Sequence, residues 1–206
     1  MDIIHTPQEA LEVGADALCP LGLLSRSEIG PDGLNPDSRY VLEAAAFLRQ
    51  QDQKDVRLIP SGNDRAGYPK AAQDYWRTHY PAINPSDYDR VDGDAPTTRD
   101  SADSLSALLT ELQVDNALVI TAGYHVGRVS RVLGHVSLIK GVVVAEDVLS
   151  ERSKKDRQAM AAFRRSSGYR RQQIIEGAIN SMPWLEPLAS RLAHQTRRFT
   201  LERRNA

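Results

Sequence analysis

Between Asn116 and Leu133 the chain reads Asn-Ala-Leu-Val-Ile-Thr-Ala-Gly-Tyr-His-Val-Gly-Arg-Val-Ser-Arg-Val-Leu, and this stretch limits the fold more than any other. Ala117–Ile120 is a short unbroken apolar run, the pattern of a strand covered on both faces of a parallel sheet. Small residues, Thr121-Ala122-Gly123, interrupt it. From Tyr124 onward Val126, Val129, Val132 and Leu133 recur at helical spacing. The reading is strand, tight turn, helix. His125 and Arg128 lie three apart, on one helix face and off the valine face. A helix start carries free N–H groups and a partial positive charge, so an imidazole and a guanidinium there suit a phosphate or carboxylate. The same residues also suit a surface helix whose Arg and His are simply solvated.

The rest of the chain repeats this alternation. The expected elements are a helix over 7–13, a first strand over Ala15–Leu21 ending at Pro20, and a long loop from Gly22 to Pro36. A helix over about 39–50 follows, with N-cap candidates in Pro36-Asp37-Ser38 and a stripe of Val41, Leu42, Ala45 and Leu48. A second strand, Asp55–Pro60, leads to Ser61-Gly62-Asn63-Asp64. The next helix opens near Pro69 and runs to His79, with Ala72, Tyr75 and Trp76 inward. A short strand is expected at Tyr88–Val91. Thr97 and Asp100 have capping-box spacing before a helix carrying Ala102, Leu105, Leu108, Leu109 and Leu112. A last strand falls within 136–145.

Strands alternating with helices predict an α/β, Rossmann-like three-layer sandwich with a mostly parallel sheet over residues 1–150. Residues 151–206 read as a basic helical extension with helices over 154–165, 171–180 and 183–198, packed on the domain or on a partner subunit. Charge supports the division: residues 1–150 hold 13 Lys/Arg and 22 Asp/Glu, a balance of −9, and residues 151–206 hold 13 and 5, a balance of +8. The extension could cover the acidic body of its own chain or dock an acidic partner, and Trp184, Leu185 and Leu188 would suit the interface of a homo-oligomer.

Composition removes several classes of function. A net charge of −1 gives no general case for nucleic-acid binding. A lone cysteine, Cys19, excludes an intramolecular disulfide and a multi-cysteine metal site. No apolar stretch reaches bilayer length and the N-terminus lacks a signal-peptide pattern, so a soluble cytoplasmic protein is expected. Phosphate-loop, dinucleotide-fingerprint, nucleophile-elbow and zinc-helix motifs are all missing.

In open parallel sheets ligands bind beyond the carboxyl ends of the strands. The distinctive loops here follow predicted strands, which brings Ser38, Arg39, Ser61, Asn63, Thr98, Asp100, Thr121, His125 and Arg128 toward a common edge. Hydroxyls, an amide, guanidiniums, a carboxylate and an imidazole make an anion or nucleotide site rather than a metal site. Asp92 and Asp94 suit turn formers, a metal or a ribose hydroxyl.

Five blocks in order carry a family resemblance: Ala15-Asp16-Ala17 with Leu21-Gly22; Ser38-Arg39; Ile59-Pro60-Ser61-Gly62; Thr98-Arg99-Asp100-Ser101-Ala102; and Val119-Ile120-Thr121-x-x-Tyr124-His125-x-x-Arg128. Over about residues 15–135 the chain resembles the YdcF-like family, the group that includes the SanA and ElyC envelope proteins. The resemblance implies a Rossmann-like domain with a polar pocket at its strand ends, to which its blocks add Gly62, Ser101 and Tyr124, and a nucleotide-like or S-adenosylmethionine-like ligand. Two blocks depart from the family pattern. Pro69-Lys70-Ala71 stands where the family has Ser-Glu-Ala, and Thr97-Thr98-Arg99-Asp100-Ser101 stands for Asn-Thr-x-Glu-Asn, so the charge of the pocket differs.

The expected function is an enzyme acting on a small anionic molecule by group transfer or hydrolysis. His125 is its acid–base group, since its ordinary pKa lies near working pH. Arg39 and Arg128 hold the anion; Ser61, Thr98 and Thr121 orient the ligand; Asp100 orients His125 or a substrate amine. A non-catalytic module sensing a nucleotide or S-adenosylmethionine is the alternative.

Overall fold

The computed structural model describes residues 1–22, 30–52, 56–62, 67–88, 90 and 98–182, with the backbone alone for residues 98–101. Five strands, β1 (Asp2–Ile4), β2 (Ala17–Pro20), β3 (Arg57–Leu58), β4 (Ala117–Thr121) and β5 (Ile139–Val144), form one sheet in the order β1-β5-β4-β2-β3. Every pairing is parallel.

Side chains alternate between two helical layers, as the two-residue period of a strand demands. Leu118 and Ile120 of β4 enter one apolar layer, with Leu18, Leu58 and Val143. Ala117 and Val119 enter the other, with Cys19, Ile59 and Val142. Helices α1 (Pro7–Val13), α2 (Pro36–Gln51) and α3 (Tyr68–His79) cover the first layer through Ala10, Leu42, Leu48 and Trp76. Helices α4 (Thr98–Glu111) and α5 (Val126–Leu133) cover the second through Leu105, Leu109, Val129 and Leu133. The result is an α/β three-layer, Rossmann-like fold.

Helix boundaries follow local chemistry. The Thr6 hydroxyl accepts from the Glu9 N–H while Glu9 reaches back to Thr6, a complete capping box, and Gly14 ends α1 in the left-handed conformation at φ 62°. Asn35, rather than residues 36–38, caps α2, its Oδ1 accepting from the Ser38 N–H at 2.7 Å. This places Asp37 and Ser38 inside the first turn, where both are buried.

Three elements differ from the sequence reading. A three-residue edge strand, β1, precedes the strand expected to be first. At 85–88 the chain makes a 3-10 turn, Pro85–Asp87, and Tyr88 and Arg90 join no strand. The cause is local: Asn84 Oδ1 accepts from the Ser86 N–H at 3.1 Å, and the Tyr88 ring turns in against Trp76, centroids 5.7 Å apart. An additional helix, α6 (Ala145–Arg152), follows β5 directly and packs on α2. Helices α7 (Lys154–Arg165) and α8 (Ser167–Ser181) come next, the second longer than expected. Residues 183–198, with Trp184, Leu185 and Leu188, lie outside the described residues. Among those described, no helix is long and apolar enough to cross a membrane.

The chain runs from β2 outward to β3 and then returns to place β4 on the other side of β2. Strand order therefore reverses between β2 and β4, and the carboxyl ends of this pair form the switch point where doubly wound sheets bind ligands. The start of α2 and the turn after β4 both open there.

Candidate functional site

After Thr121 the chain makes a 3-10 turn, Gly123–His125, and then enters α5. Val126, Val129 and Leu133 are buried against the sheet, which turns His125 and Arg128 away from the core layer they belong to. Three carboxylates from other elements fix this turn. The Gly123 N–H donates to both oxygens of Glu146, each at 3.0 Å, from the first turn of α6. The Tyr124 hydroxyl donates to Asp37 Oδ2 at 2.6 Å, from the first turn of α2. Glu176 of α8 meets His125 and Arg128.

That last contact defines the chemistry. Glu176 Oε1 lies 2.9 Å from Arg128 Nη2 and 3.1 Å from His125 Nδ1, and the His125 and Glu176 side chains each keep only 6% of their exposure. Arg128 Nη2 is also 3.1 Å from His125 Nδ1. Nδ1 can serve only one neighbour as a hydrogen-bond partner: unprotonated it accepts from Arg128, protonated it donates to Glu176. Arg128 donates to Glu176 in either state. Burial pushes the Glu176 pKa up, but hydrogen bonding from His125 and the charges of His125, Arg128 and Arg131 outweigh it, so the carboxyl is held below its ordinary value. Among the described residues, Glu176 Oε2 and Thr121 Oγ1 are buried without any hydrogen bond.

Glu146 is fully buried, and burial raises its pKa despite the Gly123 N–H, Arg164 and the Tyr169 hydroxyl, which donates to it. Burial, and then Asp37 beside it, hold the Tyr124 hydroxyl well above its ordinary pKa. Tyr169 of α8 sits edge-on between Tyr124 and Phe163, with 5.1 Å between centroids on each side. The glycines of the turn are explained by this approach. A Cβ at Gly123 would lie 2.8 Å from Tyr169 Oη, and one at Gly127 would lie 2.9 Å from Asn180 Nδ2. Arg131 Nη1 donates to Asn180 Oδ1 at 3.0 Å beside them.

Comparison with family models, curated proteins and solved structures finds no match for this chain.

The remaining sequence-derived candidates divide. Thr121, Tyr124, His125 and Arg128 lie together along the end of β4, the turn and the start of α5, and Ser38 is buried in the first turn of α2, next in sequence to the Asp37 that Tyr124 meets. Arg39 instead forks onto Asp32, Nε to Oδ2 at 2.8 Å and Nη2 to Oδ1 at 2.7 Å, closing the turn that precedes α2. Ser61 is buried where it bridges Leu21, beyond the ends of β2 and β3. Gly62 and Gly22 lie under the Tyr68 ring, where a Cβ on either would fall within 2.8 Å of Tyr68 Cδ1. Thr98, Asp100 and Ser101 occupy the first turn of α4, and their side chains lie outside the described residues, as do Asn63, Asp92, Asp94 and Thr97.

Sequence reasoning missed Asp37, Glu146, Tyr169 and Glu176. Only Glu176 leaves a trace, as one acid behind Ile174-Ile175 in a basic segment. What the assembled group can do is hold one anionic oxygen between a guanidinium and an imidazole in a water-poor setting, where a charge-assisted hydrogen bond is strong.

Proposed function

We propose that the protein binds a small molecule bearing a carboxylate or phosphate at the carboxyl edge of β2 and β4, and acts on it by group transfer or hydrolysis with His125 as the acid–base group. One observation carries the reading: His125 and Arg128 converge on a single carboxylate oxygen at the switch point of a parallel sheet. An anion already rests there, supplied by the chain itself. The order of the five YdcF-like blocks supports the same site, and membership of that family, with a nucleotide or S-adenosylmethionine as ligand, is the narrower form of the proposal. The burial of His125 beneath α8 favours a second reading, a non-catalytic sensor of the same ligand class.

A thermal-shift screen of nucleotides, sugar phosphates, amino acids and S-adenosylmethionine tests the binding, because a ligand that binds only the native state raises its stability. Turnover of a binder that His125→Ala abolishes supports the enzyme. Binding with no turnover by the native protein supports the sensor, and no stabilisation by any compound defeats both.

A further inference from the structure

We propose that Glu176 is a built-in occupant of the anion site and that α8 is its displaceable cover: a small carboxylate or phosphate replaces the Glu176 carboxylate at Arg128 and His125 and releases α8 from the turn. The inference rests on the anion-site reading above and adds its regulation.

Glu176 is satisfied on one side only. Oε1 is held by Arg128 and His125, while Oε2 is buried with no hydrogen bond. A buried charge left partly unpaired weakens the contact it makes, so docking of α8 is less favourable than its burial suggests. Two of the three carboxylates that fix the receptor turn lie outside α8. Asp37 from α2 holds Tyr124 and Glu146 from α6 holds Gly123, so the turn stays formed when α8 leaves. Release uncovers a prepared site.

The cover is also built to move as a unit. Ser166 ends α7 and caps α8, with extended backbone at φ −61° and ψ 150°, so one residue joins the two helices. Reorientation there changes few dihedrals. The inner face of α8 meets the turn through Tyr169, Glu176 and Asn180, fitted over Gly123 and Gly127. On its outer side Ile174 is 74% exposed and Arg170 and Arg171 are exposed, so no described element clamps that side down.

The test uses the full chain with inorganic phosphate and acetate as probes, in the native protein, Glu176→Ala and the near-isosteric Glu176→Gln. Calorimetry is expected to show both variants binding a probe roughly tenfold more tightly than the native protein, the penalty removed when the open form is about a tenth of the population. Hydrogen exchange in the native protein is expected to speed up over residues 167–181 on saturation with the probe, with the sheet unchanged. Adding Arg128→Ala to Glu176→Gln should abolish that binding. Equal affinity in native and variant proteins, or slower exchange in α8 on binding, overturns the cover while leaving the anion site standing. Failure of all three proteins to bind either probe overturns both. If Glu176→Ala does not fold, Glu176→Gln and the native exchange experiment decide.

Discussion

The Tyr124 hydroxyl and Asp37 Oδ2 lie 2.6 Å apart across 87 positions of sequence, joining the turn after β4 to the first turn of α2. The donor sits on the strand-end turn and the acceptor on a helix start, so the bond spans the switch point of the sheet. Tyr124→Phe removes the donor and leaves a buried carboxylate less well served. The loss of stability should be about 1–3 kcal/mol, measured as a lower urea midpoint with an unchanged slope.

Glu146 gives stability a pH dependence of definite sign. Burial raises its pKa in the folded state. The folded protein therefore holds the proton more tightly than the unfolded chain, a contribution present below the ordinary value and lost as pH rises through the raised one. Glu146→Gln cannot ionise but keeps an oxygen for the Gly123 N–H. Urea melts from about pH 4 to about pH 8 should show the native protein losing stability relative to Glu146→Gln as pH rises. A constant difference would place the carboxyl's folded and unfolded pKa values together.

Arg39 and Arg128 should behave differently although the sequence offers both as anion ligands. Arg39 is occupied by Asp32, and the pair is about one-third exposed on each side. Arg39→Ala should cost under about 1 kcal/mol and leave phosphate binding by the Glu176→Gln protein unaltered in calorimetry. Arg128→Ala in the same background should remove it.

The two glycines under α8 make a matched pair. A methyl at Gly123 meets the hydroxyl of Tyr169, whose ring is wedged between Tyr124 and Phe163. A methyl at Gly127 meets the outer end of the Asn180 side chain, which can turn aside. Gly123→Ala should therefore speed limited proteolysis within 167–181, while Gly127→Ala should change it little. Such overpacking costs about 1–3 kcal/mol where neighbours cannot yield.

The apolar period made the layers readable in advance. Val126, Val129 and Leu133 on one helix and Leu105 and Leu109 on another declare which face is inward, and the run over Ala117–Ile120 declares a strand with two covered faces. The edge strand Asp2–Ile4 is too short to show a period, and Tyr88–Val91 resembles a strand only until the Asn84 turn is known. The site was half readable for the same reason. Tyr124, His125 and Arg128 share one local pattern, whereas Asp37, Glu146 and Glu176 arrive singly from three different helices. Their meaning comes from where the sheet order delivers them, and no local spacing records that.

Strand β1 pairs with β5, Ile4 opposite Val143, so this edge strand has its neighbour in the last of the five described strands in chain order. Strands β2 and β3 pair across a much shorter stretch of chain, as do β4 and β5. The pairing of β1 with β5 therefore closes the longest loop between neighbours in the sheet. Long-range parallel pairings of this kind form slowly. A fusion partner placed before Asp2 would sit beside the pairing of greatest sequence separation, which makes tagging at this point a direct handle on how the edge of the sheet closes.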